Sequence, residues 1–164
     1  MFKCLSAIII SSAMFLTAAP AAKSADPHAL QIDVPVQLEE ANVVYNAGRL
    51  TWSGDVPYQL MELQLLAKTY SEGVKGQVVA VFHGDSGYLL LTDEAYNAFR
   101  GVTTGNPYKK IVSQLIKQGI QIEECGATAS AMHWGNADLL PGVKVNTNAV
   151  VRFIQLEQEG YTYI

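Results

Sequence analysis

Cys125 follows Ile120-Gln121-Ile122-Glu123-Glu124, which reads as a strand, and precedes Gly126 and a run of small residues. That pattern places the thiol at the end of a strand and the start of a helix, where unpaired amides and the helix dipole favour an anion. Such a cysteine is expected to ionise near neutral pH and to act as a nucleophile. Glu123 and Glu124 oppose this, because nearby carboxylates raise a thiol pKa, although alternation along a strand lets at most one of them share the cysteine's direction. A small buried core residue is the competing reading of the same position.

Two other segments end in residue types suited to chemistry. Asn46-Ala47-Gly48 closes a short apolar run, and His83-Gly84-Asp85 closes a longer one. In a parallel sheet the carboxyl ends of strands gather at one edge, so Asn46, Gly84, Asp85 and Gly126 are expected to line a pocket there, with Cys125 and His83 as its reactive pair. If their strands are neighbours, the two side chains come within a few ångström, and a protonated His83 would lower the thiol pKa further. A Cys-His hydrolase would use the same pair, but no third, orienting residue can be named from the sequence. His83, Asp85, Cys125 and His133 contain no close ligand pair, so no metal is expected. Gly84-Asp85-Ser86-Gly87 lacks the lysine of a phosphate loop and reads as a tight turn.

The elements that must position these residues follow from periodicity. Val43-Val44-Tyr45 is a short strand. Leu60, Leu63, Ala67 and Tyr70 form one stripe of a helix of about sixteen residues, which Gly73 ends. Gln77–Phe82 is apolar on both faces, as suits a central parallel strand covered by helices on both sides. Tyr88–Phe99 reads as helical with a break at Thr92-Asp93. Tyr108, Ile111, Val112 and Leu115 mark a further helix, and Ala127–His133 a short one. Val143-Lys144-Val145 is a brief strand. Asn146 is expected to cap a last helix with the stripe Ala149, Val150, Phe153 and Ile154, and Tyr161–Ile164 to close the sheet. Alternating strands and helices at this spacing predict an α/β domain with a largely parallel five-stranded sheet.

The chain has 164 residues, 49% of them hydrophobic and 16% charged, which suits one globular domain and argues against disorder. Residues 1–25 have the succession of a secretory signal peptide: a basic start at Lys3, an apolar run from Cys4 to Leu16, and small residues up to Ala25. The run is too short for a membrane span, so no stable membrane insertion is expected after cleavage. Residues 26–42 read as an extended N-terminal arm, and 43–164 as the α/β domain. Removing 1–25 leaves 9 basic and 15 acidic side chains and takes away Cys4, so Cys125 is the one thiol of the mature chain. An acidic chain without a basic cluster is no nucleic-acid binder. The uncharged stretch Tyr88-Leu89-Leu90-Leu91 is expected to offer apolar surface to a partner.

Val78–Asp85 (VVAVFHGD), Ile122–Gly135 (IEECGATASAMHWG), Leu139–Val145 (LLPGVKV) and Glu157–Ile164 (EQEGYTYI) together resemble the DsrE/DsrF-like family, in particular its exported single-domain members. The resemblance implies a flavodoxin-like three-layer fold, homo-oligomers that are often trimers or hexamers and, in the family's characterised cytoplasmic members, a cysteine that carries sulfur as a persulfide; no cofactor is expected. By position that cysteine is Cys125. Family members often read cysteine-glycine-glutamine-serine here, whereas this chain has Ala127 and Thr128, and His133-Trp134-Gly135 replaces an arginine-glycine. The expectation is a periplasmic sulfur carrier whose donor and acceptor are unknown. The alternative is a non-catalytic oligomeric module that binds a small ligand or a protein.

Overall fold

The computed structural model describes residues 28–164. The expected leader, with Cys4, and the first two residues of the arm lie outside the described residues. The chain divides after Val36. Residues 28–36 contain no helix or strand, and Leu30, Ile32, Val34 and Val36 are exposed. The unit from Gln37 to Ile164 holds the sheet and the helices.

Its elements in chain order are β1 (Val43–Ala47), β2 (Trp52–Ser53), β3 (Val56–Pro57), α1 (Tyr58–Ser71), β4 (Val78–Phe82), α2 (Asp93–Arg100), α3 (Lys109–Lys117), β5 (Gln121–Cys125), α4 (Gly126–Ala131), β6 (Lys144–Asn146), α5 (Ala149–Gln158) and β7 (Thr162–Tyr163). Five strands form one sheet in the order β6-β5-β4-β1-β7, every pairing parallel, and β2 and β3 make a small antiparallel hairpin. All five residues of β4 are buried because the strand is central and covered on both faces. One face packs Val43, Ala80, Phe82 and Ile122 against α1 and α3 through Leu60, Leu63, Val112 and Leu115. The other packs Val44, Val79, Val81 and Cys125 under Ala149, Phe153 and Leu156 of α5. This is the three-layer α/β arrangement anticipated above. Each fully buried leucine in it contributes about 1.5–3 kcal/mol.

Three expectations are corrected. Tyr88, Leu89, Leu90 and Leu91 are buried, between 0% and 6% exposed, so they line the core and present no surface to a partner. They lie in and just after a 3-10 segment, Gly84–Leu90, which the expected break at Thr92-Asp93 separates from α2; Thr92 caps α2 by accepting from Ala95 N–H. Asn146 does not cap the last helix. It is still extended in β6, paired with Cys125, and Asn148 is the cap, accepting from Val151 N–H at 2.9 Å. The buried stripe of α5 is accordingly Ala149, Phe153 and Leu156, while Val150 and Ile154 are exposed. At 3.6 residues per turn Val150 and Ile154 lie roughly 90° and 130° round the helix from the middle of the buried stripe.

Candidate functional site

β1, β4, β5 and β6 end in register. Ala47 pairs with Phe82, Phe82 with Glu124, and Cys125 with Asn146. One step past these pairs, Gly48, His83 and Cys125 stand side by side at the carboxyl edge. Val79 and Val81 point to the α5 face, and alternation sends His83 the same way, as its ring contact with Phe153 shows (centroids 5.8 Å apart). The strands of His83 and Cys125 are therefore neighbours, and both side chains leave the same face.

Cys125 is 4% exposed. Its Sγ accepts a hydrogen bond from Ala149 N–H at 3.3 Å. Burial pushes the thiol pKa up, but the amides of Thr128, Ala149 and Ala127 and the Thr128 hydroxyl, all directed at the sulfur, outweigh it and hold the pKa below the ordinary value. His83 takes no part in this. Burial lowers its own pKa, so the ring is neutral at neutral pH and lends no positive charge to the thiolate.

The two carboxylates of β5 separate by face. Glu123 lies on the α5 side, where Arg152 Nη2 meets it at 2.9 Å and Asn146 and Gln121 donate to it. Burial raises its pKa, but these donors prevail and keep the carboxyl below its usual value. Glu124 points into the opposite core with no exposure, and neither oxygen has a hydrogen-bond partner. Burial first, and the Cys125 charge second, push its pKa up to about 9. It is a neutral acid at neutral pH.

Asn46 accepts from Gly48 N–H at 3.1 Å, lies 2.8 Å from His83 Nε2 and donates to the Tyr163 hydroxyl. With His83, Gly84 and Asp85 it lines an open cleft of ≈ 550 Å³ that Arg49, Gln59 and Glu62 also border. Gly84 has φ +57, which favours glycine, and its N–H donates to Thr128 Oγ1 at 2.9 Å. Gly126 is set apart from that cleft: a Cβ there would fall 2.6 Å from the Asn146 carbonyl, so the residue lets the loop into α5 close over Cys125. The structure thus brings Asn46, His83, Gly84 and Asp85 to one cleft, buries Cys125 beneath the start of α5, and leaves Gly126 half-buried against the Asn146 carbonyl, outside that cleft. Among the described residues, no three His, Cys, Asp or Glu side chains gather in a way that could hold a metal ion.

Sequence reasoning gave Thr128 and Ala149 no role at the thiol, and it weighed Glu124 only as a charge opposing the thiolate, not as a buried neutral acid. Thr128 was legible in part, since three residues after Cys125 is one helical turn above it. Ala149 was not, because its amide reaches the sulfur from 24 residues away.

The chain is similar to two solved structures. The protein of unknown function MTH1491 from Methanobacterium thermoautotrophicum is 21% identical with a TM-score of 0.59, and the match covers 76% of this chain and 97% of that one. The ychN protein from E. coli is 16% identical with a TM-score of 0.53, covering 75% and 96%. Both likenesses establish the fold. No curated protein matches the sequence. The model of the DsrE/DsrF-like family matches residues 53–164, which takes in α1, the central strands β4 and β5, Cys125 and the whole carboxyl-terminal half, and the chain belongs to that family.

Proposed function

We propose that this protein is a sulfur carrier that holds sulfane sulfur on Cys125 as a persulfide. One observation carries the reading: a sulfur at the carboxyl edge of the sheet whose pKa is lowered by converging amide and hydroxyl donors from Thr128, Ala149 and Ala127. Those donors stabilise an anionic sulfur, whether thiolate or persulfide. Membership of a family associated with sulfur relay supports it. Loading is an exchange: the thiolate attacks the outer sulfur of a persulfide R–S–SH, one S–S bond forms as another breaks, and the thiolate R–S⁻ leaves. Treating the native protein with polysulfide, followed by intact-mass analysis, is expected to add sulfur to wild type and none to Cys125→Ala. Failure of the folded wild type to gain sulfur refutes the reading.

A non-catalytic binding module is the second reading, and the 4% exposure of Cys125 among Val44, Val79, Val81 and Phe153 favours it. A thiol that alkylates only after denaturation would establish that alternative.

Two further proposals concern place and assembly. The pattern of residues 1–25 supports export to the periplasm, with a mature start between Ala22 and Asp26, which Edman sequencing of the exported protein checks. Self-association as a trimer or hexamer is supported by exposed Val150, Val151 and Ile154 on α5, close in sequence to exposed Tyr163 and Ile164. Light scattering that finds only monomer at micromolar concentration refutes it.

A further inference from the structure

The chain has two tryptophans, Trp52 and Trp134, and both border one cavity of ≈ 440 Å³. Four separate segments build it: Trp52 comes from β2, Asp85 and Tyr88 from the turn after β4, Phe99 and Arg100 from the end of α2, and Met132 and Trp134 from the residues that follow α4. Its volume falls in the range of roughly 300–1,000 Å³ typical of small-molecule sites. The turn after β4 sets it at the carboxyl edge of the sheet, where open α/β sheets bind ligands. Gly84 and Asp85 border both this cavity and the His83 cleft, and Cys125 borders neither.

The walls are aromatic and open to water. Phe99 stacks on Tyr88 with centroids 5.8 Å apart and meets Trp134 edge-on at 5.2 Å. Trp52 is 49% exposed, Phe99 42% and Met132 40%, so three large apolar side chains left in water converge on one hollow. A ligand with an apolar ring would bury that surface.

Two opposite charges stand at the border. Arg100 lies over the Tyr88 ring, with Cζ 4.9 Å from the centroid. Both Arg100 and Asp85 act on the Tyr88 hydroxyl: burial raises its pKa, Arg100 lowers it, and Tyr96 and Asp85 raise it. Yet no ion pair joins the two, and among the described residues neither has another ion-pair partner. An anion in the cavity would be held by Arg100 and repelled by Asp85, and a cation the reverse. A ligand that carries both charges satisfies both groups.

We propose that this cavity binds a small zwitterion with an aromatic body, the chemistry of a free aromatic α-amino acid. Its ring lies among Trp52, Phe99 and Trp134, its carboxylate accepts from the Arg100 guanidinium, and its ammonium donates to Asp85. The site does not involve Cys125, so the proposal goes beyond the sulfur-carrier reading and does not rest on it.

Because both tryptophans border the cavity, their signals report its occupancy. L-Phenylalanine titrated into the folded protein is expected to change the tryptophan emission saturably and to shift both indole N–H signals in NMR spectra. 3-Phenylpropionate lacks the ammonium, phenethylamine lacks the carboxylate, and L-alanine lacks the ring; each should bind at least about tenfold more weakly, the scale of one charge-assisted hydrogen bond or one buried ring. Arg100→Met should abolish the preference for phenylalanine over phenethylamine and keep that over phenylpropionate, and Asp85→Asn should do the opposite. No saturable change with phenylalanine up to millimolar concentration overturns the proposal. Equal affinity of the wild type for all three ring compounds overturns it too, because the two charges would then play no part. Folded variants that rank the series as wild type does overturn the roles of Arg100 and Asp85.

Discussion

Replacing Glu124 by glutamine should make the protein more stable, and increasingly so as pH rises. Glu124 is fully buried, both its oxygens lack partners, and its pKa rises from an ordinary 4.5 to about 9. Below pH 4.5 the folded and unfolded chains both hold the proton, and the residue contributes no pH dependence. Above it the unfolded chain releases the proton and the folded chain keeps it, so stability falls by about 1.4 kcal/mol per pH unit up to the folded pKa. At pH 7 the accumulated loss is about 3 kcal/mol, a large share of the 5–15 kcal/mol typical of a domain. Glutamine cannot ionise, so Glu124→Gln escapes this loss. Against that stands about 1–3 kcal/mol for a second buried polar group, the amide NH2, left without a partner. That cost is constant with pH and leaves the slope untouched. Urea unfolding of both proteins from pH 5 to 8 is the assay, and the expected signature is a stability difference that grows steadily in favour of the variant. A difference flat with pH refutes the reasoning, because Glu124 would then be ionised in the folded state.

Other perturbations follow from the same contacts. Arg152→Ala strands Glu123 in the core and should cost about 3–5 kcal/mol at neutral pH; because the pair lowers the Glu123 pKa, its contribution is present above pH 4.5 and fades as pH falls through the folded pKa, so denaturation curves should converge in acid. Asn148→Ala removes the α5 cap and should cost about 1 kcal/mol in thermal or chemical unfolding. A loss smaller than a few tenths would contradict the cap assignment. Gly48→Ala drives a methyl group into the His83 ring, and NMR should report a displaced ring and a broken bond to Asn46 even where the cost in stability stays within about 1–3 kcal/mol.

Periodicity alone determined most of the architecture. The continuous apolar run of β4, the stripe Leu60, Leu63 and Ala67, and the glycines after the helices are local signals, read within a few residues of the atoms they govern. The same locality placed Cys125 at a strand end and His83 at another. Tertiary structure decided what those residues meet. Whether Tyr88–Leu91 faces solvent or core depends on α2, α3 and β5 packing over the turn, which no short window contains. The environment of the thiol is likewise non-local, since the Ala149 amide comes from the far side of β6, and the Asn46 amide that orients His83 is 37 residues away. Glu123 and Glu124 make the point most sharply: they are adjacent and identical in type, yet the pleat sends one to an arginine and the other into apolar core, and that alone drives their pKa values in opposite directions.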